Sequence, residues 1–251
     1  TATDGKIYDG TPLTNAKFDS KVQENGGLVA GQILNVTVTG TITDVGSASN
    51  IADESLTSIT DKSGDDVTIN YAITYEYGTL TVTPRAITIT TESDEKIYDG
   101  TRLVNLAYDF KVQENGGLVD GHILNVTVIG TITDVGSALN IADESLTAIT
   151  DKLGNDVMFN YDISYEYGTL IVTPRAITIT TATDGKIYDG TPLTNAKFGY
   201  KEQENGGLVD GHILNVAVIG AITDAGSTLN IADETQTAIT DKSGNDVTHN
   251  Y

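Results

Sequence analysis

The chain repeats itself. Lys6-Ile7-Tyr8-Asp9-Gly10-Thr11 returns at residues 96–101 and again at 186–191, so that Tyr8, Tyr98 and Tyr188 stand 90 residues apart with no insertion or deletion between copies. Gln23-Glu24-Asn25-Gly26-Gly27-Leu28-Val29 recurs from Gln113 and from Gln203, and Asn50-Ile51-Ala52-Asp53-Glu54 recurs from Asn140 and from Asn230. A fixed period marks a series of supersecondary units, so 251 residues are read as small modules in tandem and not as one large domain. The copies are too alike for shared residues to reveal which matter; their differences say more. Ile69 becomes Phe159 and then His249, which argues against a tight core position. Ala30 becomes Asp120 and Asp210, and Gln32 becomes His122 and His212, substitutions expected at turn and surface sites.

Within a copy the apolar residues alternate with period two, the mark of a half-buried strand. Leu34, Val36 and Val38 share one face and Asn35, Thr37 and Thr39 the other. The same pattern predicts strands over Val67, Ile69, Tyr71, Ile73 and Tyr75, over Thr79-Leu80-Thr81-Val82-Thr83, and over Ala86-Ile87-Thr88-Ile89-Thr90. Thr, Val, Ile and Tyr suit a pleated surface. Asn25-Gly26-Gly27, Asp44-Val45-Gly46-Ser47 and Asp61-Lys62-Ser63-Gly64-Asp65-Asp66 supply the turns. Ala52-Asp53-Glu54-Ser55-Leu56 has room for one turn of helix and no more. The pattern closes best over residues 85–174, a complete module 2. Module 1, residues 1–84, lacks its first strand, and module 3, residues 175–251, lacks its last strands. A missing strand leaves an unpaired edge, so the terminal modules are expected to be less stable than the middle one. Thr83-Pro84-Arg85 and Thr173-Pro174-Arg175 join the modules with one proline each and no Gly/Ser run. That favours an elongated, semi-rigid array. The expected fold is all-β, each module a small immunoglobulin-like β-sandwich, with a β-grasp-like module carrying one short helix as the alternative.

Charge excludes some functions. Asp and Glu total 35 against 14 Lys and Arg, a formal charge of −21. Such a chain repels phosphate backbones, so nucleic acid is not an expected partner, and anionic lipid is disfavoured likewise. No stretch reaches the roughly 18 apolar residues of a transmembrane helix, so no membrane insertion is expected within these residues. Cysteine is absent, so no disulfide staples the modules.

The runs Lys6 to Thr14 (Lys-Ile-Tyr-Asp-Gly-Thr-Pro-Leu-Thr), Gly26 to Val29, Thr43 to Ser47, Asn70 to Thr74 and Tyr77 to Pro84 resemble the YDG/MBG-type repeats of large bacterial surface proteins, including adhesins. The resemblance covers nearly the whole chain. It implies an all-β module, an extracellular place at the cell surface or cell wall, and a stalk or adhesion role. The function expected on this ground is a structural spacer in a surface adhesin. The alternative is a module that itself binds a host or microbial glycan or protein.

Candidate chemistry is sparse. A nucleophile needs a base and an orienting group. The chain has no cysteine, and its histidines, His122, His212 and His249, are missing from module 1, so an enzyme is not expected. The loop Asp151-Lys152-Leu153-Gly154-Asn155-Asp156 offers oxygen ligands of the kind calcium takes, with Asp151, Asn155 and Asp156 as the candidate metal ligands, although the same residues serve hairpin loops for backbone reasons alone. Lys6, Lys96 and Lys186, with Asn70, Asn160 and Asn250, are candidates for an intramolecular Lys–Asn cross-link. The tyrosine of Tyr-Asp-Gly reads as a core residue with Asp9-Gly10 making the turn, and Tyr71, Tyr75 and Tyr77 read as core on one face.

Overall fold

The segment Asp-Gly-Lys-Ile occurs twice in this chain, as a strand at residues 4–7 and outside any strand at residues 184–187. A strand forms where an extended segment finds a hydrogen-bonded neighbour, and that rule organises the molecule. The computed structural model describes residues 1–21, 26–111, 116–202 and 206–251. Asn25, the first residue of the expected Asn-Gly-Gly turn, and its counterparts Asn115 and Asn205 lie outside the described residues.

The first copy forms β1 (Asp4–Ile7), β2 (Leu13–Thr14), β3 (Ile33–Val38), β4 (Thr41–Ile42), β5 (Gly46–Asn50), β6 (Ala52–Thr60) and β7 (Gly78–Thr83). The second forms β8 (Arg85–Thr91), β9 (Asp94–Ile97), β10 (Tyr108–Lys111), β11 (Ile123–Val128), β12 (Gly136–Asn140), β13 (Ala142–Thr150), β14 (Tyr161–Glu166) and β15 (Gly168–Thr173). The third forms β16 (Ile177–Thr181), β17 (Leu193–Thr194), β18 (Phe198–Glu202), β19 (Ile213–Val218), β20 (Ala221–Ile222) and β21 (Ala232–Thr240). Among the described residues the helices are single 3-10 turns, Thr68–Asn70, Met158–Asn160 and Thr248–Asn250. The fold is therefore all-β, built of many small sheets.

These strands gather into two compact units whose limits run through the second repeat. Unit 1 is Thr1–Thr90, Asp109–Val126 and Glu144–Glu166; unit 2 is Thr91–Tyr108, Thr127–Asp143 and Tyr167–Tyr251. In unit 1, β7 is the middle of a three-stranded sheet, parallel to β1 and antiparallel to β5. A second sheet has β8 between β10 and β14, with β14 parallel to β8. β2 pairs with β4 and β3 with β6, the latter through a bulge between Asn35 and Thr37. Period two puts Leu80 and Val82 of β7 on one face and Ile87 and Ile89 of β8 on one face. These four meet Tyr8, Leu13, Leu124, Ile149 and Tyr161 in one core. Each fully buried aliphatic side chain stabilises by about 1.5–3 kcal/mol relative to exposure.

In unit 2, β15 lies between β12 and β9, antiparallel to the first and parallel to the second. β16 pairs with β18, β17 with β20 and β19 with β21. Its core holds Tyr98, Leu103, Leu170 and Val172.

Several expectations are corrected. Ala52-Asp53-Glu54-Ser55-Leu56 is the start of β6 and not a helical turn, because β6 pairs with β3 from Ala52 onward. The strand expected over residues 67–75 is interrupted: Thr68–Asn70 is a 3-10 turn and residues 71–77 lie outside any strand. The counterpart residues of the second repeat do form β14, because β8 lies beside them. No counterpart of β8 exists among residues 1–84. Tyr71 and Tyr75 are half-buried, Tyr75 like its counterpart Tyr165, and Tyr77 is exposed; the rings of Tyr75 and Tyr77 stack 6.1 Å apart, in place of the core role expected. In the third repeat residues 182–189 and 226–231 carry no strand, and no counterpart of β15 exists among residues 175–251.

Candidate functional site

Each unit holds a constellation of polar side chains at the joint where one repeat meets the next. In unit 1 it begins at the junction residue Arg85. Its guanidinium donates from Nε to the Gly117 carbonyl at 2.8 Å, from Nη2 to the Gly116 carbonyl at 2.6 Å and from Nη1 to the Tyr8 carbonyl at 3.4 Å. One side chain thus holds the Gly-Gly loop of its own repeat and the Tyr-Asp-Gly segment of the repeat before. A planar fork with fixed donors suits this task.

The second half of the joint is Asn160, fully buried at the end of its 3-10 turn. Its Oδ1 accepts the Val45 N–H at 2.7 Å, and its Nδ2 donates to Asp44 Oδ1 at 3.0 Å. Asp44-Val45 is the turn expected in the first repeat, here capped by the second. Tyr8 fills the space between, 3% exposed, edge-on to Tyr161 at 5.9 Å and 6.1 Å from His122. Burial, with Tyr161 and Asp44 nearby, pushes the Tyr8 hydroxyl above its ordinary pKa. Burial does the same to Tyr161. Both hydroxyls therefore stay neutral across physiological pH. Gly10 makes the turn after Tyr8 at φ +76°, and a Cβ there would meet Val119 at 2.9 Å.

Tyr161 explains the Gln-to-His change. Its Oη accepts the Val119 N–H at 3.1 Å and lies 2.6 Å from His122 Nδ1. In the first repeat Tyr71 accepts the Val29 N–H and donates to Gln32 Oε1. Position 32, expected to be a plain surface site, is instead the hydrogen-bond partner of a tyrosine hydroxyl, a place that Gln and His both fill.

Unit 2 repeats the joint. Arg175 donates to Gly207 at 2.9 Å, Gly206 at 2.7 Å and Tyr98 at 3.4 Å. Asn250 accepts the Val135 N–H at 2.7 Å and donates to Asp134 at 2.9 Å. Tyr98 meets Tyr251 edge-on at 5.8 Å, and Tyr251 lies 2.8 Å from His212 Nδ1.

A third device lies inside each repeat. Buried Asn50 donates to the Ala2 and Asn15 carbonyls, both at 2.9 Å, and Asn140 and Asn230 repeat the pattern. Asn50 packs on Gly40 so closely that a Cβ there would lie 2.4 Å from its Oδ1. Sequence reading missed Arg85, Asn50 and the capping role of Asn160. Copies that repeat without insertion keep every spacing constant, so no spacing singled these residues out.

The candidate metal ligands are occupied locally. Asp151 Oδ1 accepts the N–H of Leu153 at 2.8 Å and of Asn155 at 2.9 Å, and its Oδ2 accepts from Asn155 Nδ2 at 2.8 Å. Asp156 Oδ1 accepts the Met158 N–H at 2.9 Å. These are side-chain-capped turns. Among the described residues no group of three or more His, Cys, Asp or Glu is placed to hold a metal.

The cross-link candidates have separate partners. Lys6 Nζ donates to Asp9 Oδ1 and the Thr11 carbonyl, both at 2.6 Å, and to Thr11 Oγ1 at 2.8 Å; Lys96 does the same with Asp99 and Thr101. The hydrogen bonds from Lys6 and then Thr11 lower the Asp9 pKa to about 2. Asn160 and Asn250 serve the joints instead, and Asn70 is exposed.

Two openings border these features. An open groove of about 600 Å³ in unit 1 is lined by Tyr8, Asp9, Asp44, His122, Asp151 and Phe159, with Phe159 60% exposed. A cleft of about 480 Å³ in unit 2 is lined by Asp184, Gly185 and Lys186 on one side and residues 226–230 on the other. These are the counterparts of β9 and β12, which flank β15 in the second repeat. No helix among the described residues is long and apolar enough to cross a membrane. In comparisons with known proteins the chain matches no family model, no curated protein and no solved structure.

Proposed function

We propose that the chain is a run of structural spacer repeats from an extracellular bacterial surface protein of the adhesin type, held at the cell surface or wall. The joint carries this reading. A spacer must hold successive modules in a fixed relation, and the Arg85–Asn160 joint is remade as Arg175–Asn250 with bond lengths within 0.1 Å. Its polar groups bond to backbone and side chains of the neighbouring repeat as well as their own, which ties the two repeats together. The excess of acidic residues supports solubility and repulsion between neighbouring chains. The resemblance to YDG/MBG-type repeats points the same way, and with it we read each repeat as an immunoglobulin-like sandwich and the chain as no enzyme.

The second reading, a module that binds a host or microbial glycan or protein, rests on the groove beside Tyr8. Exposed Phe159 and the carboxylates of Asp44 and Asp151 offer a stacking face and hydrogen-bond acceptors. One experiment separates the two. The full chain is placed between a reporter binding domain and a cell-surface anchor, and adhesion to ligand grafted at set distances is measured, with the chain alone applied to glycan and matrix-protein arrays in parallel. The spacer reading expects the reach to grow with repeat number and no saturable retention of the chain on any array. Saturable retention that is lost in Phe159→Ala establishes the second reading in its place.

A further inference from the structure

We propose that the second repeat is a force clamp, in which its opening strands are locked to its closing strands in shear, and that the first holds part of the same device. The observation is the direction of pairing. In the second repeat Tyr161 to Glu166 of β14 lie parallel to Arg85 to Thr90 of β8. Leu170 to Thr173 of β15 lie parallel to Asp94 to Ile97 of β9. The Tyr98 N–H extends that ladder by bonding to the Thr173 carbonyl at 2.9 Å.

Tension along the chain pulls β8 from its N-terminal end and β15 from its C-terminal end. For parallel strands that load runs along the strand axis, so every inter-strand hydrogen bond is strained together. If the two strands were pulled from the same end, the bonds would open one at a time. Both clamp ladders must fail before the chain between them extends. Each also has a strand at its heart: β8 lies between β10 and β14, and β15 between β12 and β9. Ile87, Ile89, Leu170 and Val172 are buried beneath them, which keeps water from the bonds under load.

The three repeats differ in how much of the device they hold. The second has both ladders, of six and four residues. The first has the four-residue pairing of β1 with β7. In the third, β16 pairs with β18 and residues 182–189 carry no strand, so among its described residues no parallel ladder is present. Yielding under tension therefore follows the order third, first, second. Full extension of the second repeat releases roughly 300 Å of chain, at about 3.4 Å per residue.

The native chain has no cysteine, so pulling handles can be placed at will. Single-molecule force spectroscopy is carried out on the full chain with two handle pairs. Pro84→Cys with Glu166→Cys grips opposite ends of the β8–β14 ladder and loads it in shear. Pro84→Cys with Phe159→Cys grips the same end and unzips it. All three positions are exposed, and circular dichroism verifies the fold. The expected result is a rupture force several-fold higher in the first geometry than in the second. Equal forces in the two geometries, or a third repeat that outlasts the second when the chain is pulled by its ends, would overturn the proposal. Neither outcome bears on where the protein resides or what it binds, which the array experiment tests separately.

Discussion

Asn160 and Asn70 occupy the same place in consecutive repeats, and their substitution by alanine isolates the worth of the joint. Asn160 is 0% exposed and Asn70 is exposed. Removing the Asn160 side chain leaves the Val45 N–H without its acceptor and Asp44 without the Nδ2 donor. An orphaned buried donor costs about 1–3 kcal/mol, and a hydrogen bond to a charged group contributes about 1.5–3 kcal/mol. The Val45 N–H is only half-buried and Asp44 is exposed, so both regain part of their loss from water and about 2 kcal/mol is expected for Asn160→Ala. An exposed polar side chain outside any such contact shifts stability by at most about 0.5 kcal/mol, the expectation for Asn70→Ala. Urea unfolding of the full chain, followed by tyrosine fluorescence, reads the difference, and hydrogen exchange at the Val45 amide localises it. Faster exchange at Val45 in Asn160→Ala alone is the expected signature. Two variants within about 0.5 kcal/mol of each other, or unchanged exchange at Val45, would refute the reasoning that the joint is an energetic element.

Gly130→Ala places a Cβ 2.3 Å from Asn140 Oδ1 and 2.5 Å from its Cα, and overpacking of this kind costs about 1–3 kcal/mol, measurable as a lower urea midpoint. The Asp9 carboxyl, held at about 2 by the hydrogen bonds of Lys6 and then Thr11, lies below its value in the unfolded chain. Its stabilisation is therefore present above about pH 4 and is lost as pH falls towards 2. Asp9→Asn should flatten that acid limb of a stability–pH curve, and an unchanged limb would count against the Lys6–Asp9–Thr11 cluster as its source. A peptide of residues 78–83, Gly-Thr-Leu-Thr-Val-Thr, should bind saturably in the unit 2 cleft by adding a strand between its two flanks, with shifts in the amide resonances of residues 184–187. A variant peptide with Asp in place of Leu and Val should not bind.

Much of this molecule was legible in its sequence. The repeat of 90 residues was plain, although the compact units do not follow its limits, and period-two alternation set β3, β7 and the opening of β8, because the pleat sends successive side chains to opposite faces whatever lies nearby. The place of Tyr8 in the core and the turn at Gly10 were also readable, since a large amphipathic ring and a positive φ each constrain the residue that supplies them. The partners of Asn160, Arg85 and His122 were not. Each belongs to a segment distant in the chain, and near-identical copies give no contrast from which to find it.

Tertiary structure alone decided which extended segments became strands. Asp-Gly-Lys-Ile pairs with β7 at residues 4–7, yet forms no strand at residues 184–187, and the tyrosine that follows goes from 3% exposed at Tyr8 to 63% at Tyr188. Tyr161 to Glu166 form a strand beside β8 while the near-identical residues 71–76 do not. Local sequence determines that these residues tolerate an extended backbone and which face each side chain takes. The hydrogen bonds that make a strand belong to its neighbour, and in these parallel pairs the neighbour lies some 75 residues away along the chain.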